Sequence, residues 1–289
     1  MRFPVGTVYS DFNGFSAVAK LAQETSKLVW DSAELDFGRC KFFDANMSAP
    51  LYVVVTRLRD ELNEVSIQNL PVQIEEILRK NCFLEVLNLR QMQDTNHTTL
   101  PFKIFKTHAV EQFYDYLKQY VPDKGASIMS KMLNKRFFQS ILEVFSNAFV
   151  HSESVSGVFV CGQFFPKKHK LNFTIADAGV GIREKVRRFT GLRMSSCKAI
   201  EWALVEGHST RNSQHPGGLG LKLIKDFINT NQGRLQIVSR FGFYEFSSKG
   251  QSVNKMPYDF PGTCVNIEIN THDQGSFSLV PALNGDSIF

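Results

Sequence analysis

Two hydrophobic periods alternate along the first third of the chain. Leu28 to Trp30 and Ala33 to Phe37 read as strands, Ala49 to Leu62 as a helix, and Val65 to Asn69 as a strand. Pro71 to Asn81 reads as a helix opened by a proline in its first turn. This interleaving predicts an α/β unit. The chain turns polar from Gln93 to Thr99 before a new apolar run, Leu100 to Phe105, so a domain boundary is expected there. Beyond it, Val110 to Tyr120 and Ile128 to His151 predict helices, and Val155 to Cys161 and Leu171 to Ala176 predict strands. A helix over Leu219 to Asn229, with Gly218 at its start, and strands over Arg234 to Ser239 and Val265 to Ile269 complete a second α/β unit. The expected division is 1–94, 95–272 and a weakly patterned tail, 273–289.

Composition narrows the classes without choosing one. The chain has 289 residues, 43% hydrophobic and 21% charged, which fits a globular fold of about two domains. Thirty-three Lys and Arg against 28 Asp and Glu leave a net charge of only +5, dispersed rather than blocked, so nucleic acid is not indicated as a partner. No apolar run approaches the ~20 residues of a membrane span, and no apolar leader follows Arg2, so a cytoplasmic protein with no membrane contact is expected. Cys40, Cys82, Cys161, Cys197 and Cys264 form no C-x-x-C pair and are expected to serve as small core hydrophobes.

Four short segments carry candidate chemistry. At ~100° per residue, Phe137, Phe138, Ile141, Leu142, Phe145, Ala148 and Phe149 share one helical sector, with Glu143 and Asn147 stacked one turn apart on the other. A carboxylate beside a carboxamide could hold a water and a divalent cation; a solvated polar face is the plainer reading. Asp177-Ala178-Gly179-Val180-Gly181 follows an apolar strand, so the aspartate could accept from an exocyclic amine while the glycines turn the backbone beside a flat ligand. An ordinary Asp-Gly turn would look the same. His215-Pro216-Gly217-Gly218-Leu219-Gly220-Leu221 opens a helix, which suits phosphate or a flexible loop equally, and matches neither a P-loop nor a Rossmann fingerprint. Thr263, entering the last strand, could support a base pocket or face solvent.

In order and context these segments resemble the N-box, G1-box, G2-box and late threonine of the GHKL superfamily of gyrase, heat-shock chaperone, histidine kinase and MutL ATPases. The resemblance spans roughly residues 130–270. It implies a Bergerat-type α/β sandwich, a mixed sheet with helices on one face, that binds ATP and Mg²⁺. In that frame Asn147 ligates Mg²⁺, Asp177 binds the adenine amine with help from Thr263, and Gly179 and Gly181 shape the adenine pocket. Gly218, Leu219 and Gly220 face the phosphates, Glu143 orients the attacking nucleophile, and 183–216 forms an ATP lid. Pro216 stands where the commoner G-x-G-L-G-L pattern has its first glycine. The first unit resembles a STAS domain through Leu35-Asp36-Phe37, Phe42-Phe43-Asp44-Ala45-Asn46 and Ile67-Gln68-Asn69-Leu70-Pro71. Ala45 and Asn46 stand where phosphorylatable members carry an acceptor after the aspartate, so a docking or sensing role is implied, with Ser48 read as a helix-start residue.

The resemblance implies an enzyme of one of two kinds. The first is a regulatory ATPase whose nucleotide state and lid alter contacts with the STAS-like unit or a protein partner. The alternative is a serine/threonine kinase of the anti-sigma type, acting on a separate protein. A nucleotide-sensing scaffold is a third reading, disfavoured by Glu143. No histidine sits in an H-E-x-R motif and only 26 residues follow Thr263, so neither a phosphorelay kinase nor a gyrase-like second domain is expected. The partner is unnamed by the sequence, and a homodimer stays open.

Overall fold

The stretch from Ala33, with Ala33 and Leu35 fully buried, forms the middle of a small parallel sheet in the computed structural model, which describes residues 1–106, 109–122, 131–205 and 219–271. The sheet is ordered β1 (Arg2–Pro4), β2 (Ser32–Asp36), β3 (Glu64–Gln68), all parallel. Helix α1 (Phe12–Thr25) precedes β2, while α2 (Ser48–Asp60) and α3 (Val72–Lys80) flank β3. Leu28 to Trp30, expected as a strand, lies outside the regular elements; Trp30 has φ 55° and is largely exposed, a backbone turn that no strand tolerates.

The second sheet joins β4 (Thr99–Phe105), β5 (Val158–Phe165), β6 (Lys170–Asp177), β7 (Arg234–Ser247) and β8 (Gly250–Asn270) in the order β4-β5-β6-β8-β7. Every pairing is antiparallel, so the expected mixed sheet is corrected. Short returns at Pro166–Lys168 and between Ser247 and Gly250 leave no room for a parallel crossover within the β5–β6 and β7–β8 pairs. The strand expected to start at Val155 starts at Val158, because the Ser154 hydroxyl donates to the Gly157 carbonyl across a turn where Gly157 takes φ +94°.

Helices α4 (Val110–Tyr120), α5 (Lys131–Ser152) and α8 (Leu219–Asn231) share one core with the sheet, through Phe113, Phe145, Phe173 and Phe227. Phe113 stacks on Phe145 at 3.8 Å between ring centroids. The opposite face is covered as well, which corrects the expectation of helices on one face only. Residues of the N-terminal unit, Phe15, Val54 and Phe43 among them, form one core with Phe159, Ala176, Phe243, Phe260 and Cys264 of the sheet. A sheet apolar on both faces must be covered on both, and α1 and α2 supply the second cover.

A buried polar chain crosses that contact. Asp44 accepts from the backbone and hydroxyl of Ser10 at 2.6 and 2.9 Å. Asn46, fully buried, donates to Ser10 Oγ, Thr174 Oγ1 and Asn266 Oδ1 within 3.1 Å, and Asn266 in turn donates to Gln236 at 2.8 Å. Asn46→Leu strands several of these groups at once, each costing ~1–3 kcal/mol when buried without a partner. We therefore expect a loss of about 3 kcal/mol in urea unfolding followed by circular dichroism; an unchanged midpoint would mean that water replaces the amide.

Candidate functional site

Asp177 ends β6, the middle strand of the sheet, and only 3% of it is exposed. Its carboxylate accepts from the Gly179 N–H at 2.9 Å and makes no salt bridge among the described residues. Burial pushes its pKa up to about 7, against the smaller lowering influence of the Gly179 and Thr263 backbone amides. A buried carboxylate without a cation is costly unless a donor arrives from outside.

The turn after it is built for close approach. A Cβ on Gly179 would sit 1.9 Å from the Ser152 carbonyl, which accepts from the Val180 N–H at 2.9 Å. Gly181 takes φ +80°, which a side chain would strain. The C-terminal end of α5 therefore abuts the Asp177 turn. Asn147 lies five residues before Ser152, about 7.5 Å back along the helix axis, and Glu143 about 6 Å further. Both are half-buried, while Phe137, Ile141 and Phe145 are buried as their spacing predicts. Their oxygens are of the type Mg²⁺ accepts. Among the described residues no group of three or more His, Cys, Asp and Glu side chains could hold a metal.

Pairing across the sheet adds Thr263, which stands opposite Asp177 on β8 and opposite Ser239 on β7. Ser239 was invisible as a site residue in the sequence. Its hydroxyl accepts from the Ile182 N–H at 2.9 Å and lies 3.1 Å from both the Gly262 carbonyl and Thr263 Oγ1. It thereby ties the glycine turn to the Thr263 strand, a role that only strand register reveals. Gly262, at φ +147°, also has to be glycine, since a Cβ there would sit 2.0 Å from the Asp177 carbonyl. Arg240 lies against Gly181 and pairs with Asp259, whose pKa burial raises against the opposing pull of Arg240, Arg57 and Arg183.

Part of the expected lid is helical. α6 (Ile182–Thr190) is pinned to the end of α5 by Glu153, which pairs with Lys185 and Arg188, and α7 (Ser196–Ala203) buries Ile200 and Ala199 beside β7. Residues 206–218, with Pro216, Gly217 and Gly218, lie outside the described residues. Leu219 and Gly220 begin α8. The structure thus brings together Asp177, Gly179, Gly181 and Thr263, and sets the helix of Glu143 and Asn147 against them. No described helix is long and apolar enough to cross a membrane. No protein-family model matches the chain, and no curated protein matches it.

Proposed function

We propose that the chain binds Mg-ATP at the Asp177 end of the antiparallel sheet and hydrolyses it, with nucleotide state altering contacts to the N-terminal unit or to a protein partner. The observation that carries this reading is the buried carboxylate of Asp177, with no cation paired to it among the described residues, beside a turn that tolerates only glycine. That combination suits a flat, neutral base offering an exocyclic amine, and it is the reading that the resemblance to GHKL ATPases implies. The start of α8, with Leu219 and Gly220, would offer backbone N–H groups to the phosphates, and the resemblance adds Gly218, which precedes it in the chain. Asn147 would hold the cation, whose chemistry there is to neutralise phosphate charge. Glu143 would orient and deprotonate the attacking water.

A second reading, a serine/threonine kinase acting on a separate protein, draws on Glu143 standing one turn before Asn147, as in the anti-sigma kinases. Ser48 is fully buried, so the STAS-like turn of the chain itself is out of reach as an acceptor. Incubation with γ-labelled ATP, alone and with candidate proteins, separates the readings. Released phosphate without labelled protein supports the ATPase, label on a second protein supports the kinase, and stable binding without either supports a nucleotide-sensing scaffold.

Asn147→Ala tests the cation. Its side-chain oxygen is the one protein ligand assigned to Mg²⁺, the rest being phosphate and water. ATP affinity in this variant should no longer respond to EDTA, as read by calorimetry; undiminished sensitivity would remove Asn147 from the cation site.

A further inference from the structure

We propose that the N-terminal unit holds a second ligand site, separate from the Asp177 turn, for a small carboxylate with an aliphatic body. A cavity of about 270 Å³ opens where the chain leaves β1 and β2, between those strand ends and the flank of α1. Carboxyl ends of parallel strands are where open α/β sheets leave ligand crevices. Protein interiors are close-packed, and an apolar void of roughly 150 Å³ already admits benzene, so this space is large enough to select for an occupant.

The chemistry of the walls defines that occupant. Val8, Val18, Leu21, Phe43 and Leu51 line the interior with side chains that are otherwise buried. Charge is confined to Lys20, Glu24 and Arg39, all on exposed residues. Lys20 and Glu24 neutralise each other across one helical turn, 3.6 Å apart. Arg39 makes no hydrogen bond or salt bridge among the described residues, feeling only a longer-range attraction to Asp36, whose Oδ1 accepts from Asn69 and Gly38. One uncommitted guanidinium over an apolar cavity matches a monoanion that ends an aliphatic chain, since a carboxylate takes two parallel N–H bonds from arginine. A phosphate dianion would find only half its charge met. A neutral hydrocarbon would leave the guanidinium unused.

Calorimetry on the full chain with sodium octanoate, octan-1-ol and sodium acetate tests the site. Octanoate should bind with one-to-one saturation and acetate should not bind. Arg39→Gln, an exposed substitution that leaves packing alone, should weaken octanoate about tenfold, the loss of one charge-assisted pair, without changing the affinity for octanol. Ala17→Phe fills the cavity from α1 and should abolish both, with thermal unfolding verifying that the variant is folded. Octanoate binding unchanged in either variant, octanol binding as tightly as octanoate to the wild type, or no saturable octanoate binding would each overturn the proposal. ATP affinity plays no part in these outcomes.

Discussion

Asp177→Asn should abolish ATP binding and, in the same protein, raise the stability of the ligand-free fold at pH 8. Both effects come from one buried charge. The asparagine keeps an oxygen for the Gly179 N–H, so the turn survives, but the anionic acceptor for an adenine amine is lost, a bond worth ~1.5–3 kcal/mol before any misplaced amide hydrogens are counted. The stability effect follows from the raised pKa. Below the unfolded value of 3.8 both states carry the proton and burial costs nothing. As pH rises from 3.8 the unfolded carboxyl ionises while the native one holds its proton, so native stability falls until about pH 7 and is flat above it. At 1.36 kcal/mol per pH unit the penalty above pH 7 is on the order of 4 kcal/mol. The difference between wild type and Asp177→Asn in urea unfolding should therefore open between about pH 4 and pH 7 in favour of the variant and stay level above that. ATP affinity of the wild type should rise through about pH 7, where the native acceptor ionises. A variant that still binds ATP, or a stability difference indifferent to pH, would refute the assignment.

What the sequence made legible was local, and what it hid was register. Asp177 to Gly181 stands out because an aspartate after an apolar strand and two glycines constrain the backbone whatever the fold, and the close contact of Gly179 with Ser152 is that constraint realised. The Phe137, Ile141 and Phe145 stripe is legible for the same reason, a period of 3.6. The partnership of Thr263 with Asp177 and of Ser239 with Thr263 is set by strands far apart in sequence, and no period announces it. Helix α1 did leave a signal, Asp11 capping Gly14 at 2.8 Å ahead of buried Phe15, Val18 and Ala19. Its destination, the back of the second sheet, left none. Pro257 and Pro261 concealed the length of β8, because a strand interior rejects proline. The register skips from Arg240 opposite Phe260 to Gly242 opposite Lys255, and that irregularity accommodates Pro257.

Glu143 is where binding and chemistry should come apart. It shares α5 with the fully buried Phe137, Ile141 and Phe145 but is itself half-buried, one turn before Asn147 on the helix whose end meets the Gly179 turn. A carboxylate placed to take a proton from the nucleophile contributes to the transition state and little to the bound ground state. Glu143→Gln, which preserves shape and most packing, should leave the ATP dissociation constant within a few-fold while lowering steady-state phosphate release by ~10²–10⁴. A carboxylate serving only the fold behaves differently: the amide then costs thermal stability and affinity together, and turnover follows affinity. Calorimetry, thermal unfolding and phosphate release measured on the same variant decide between the two. Losses in parallel, or turnover left intact, would take the base away from Glu143 and move the reading from ATP hydrolysis to nucleotide sensing, because a site that only holds ATP has no use for a proton acceptor beside it.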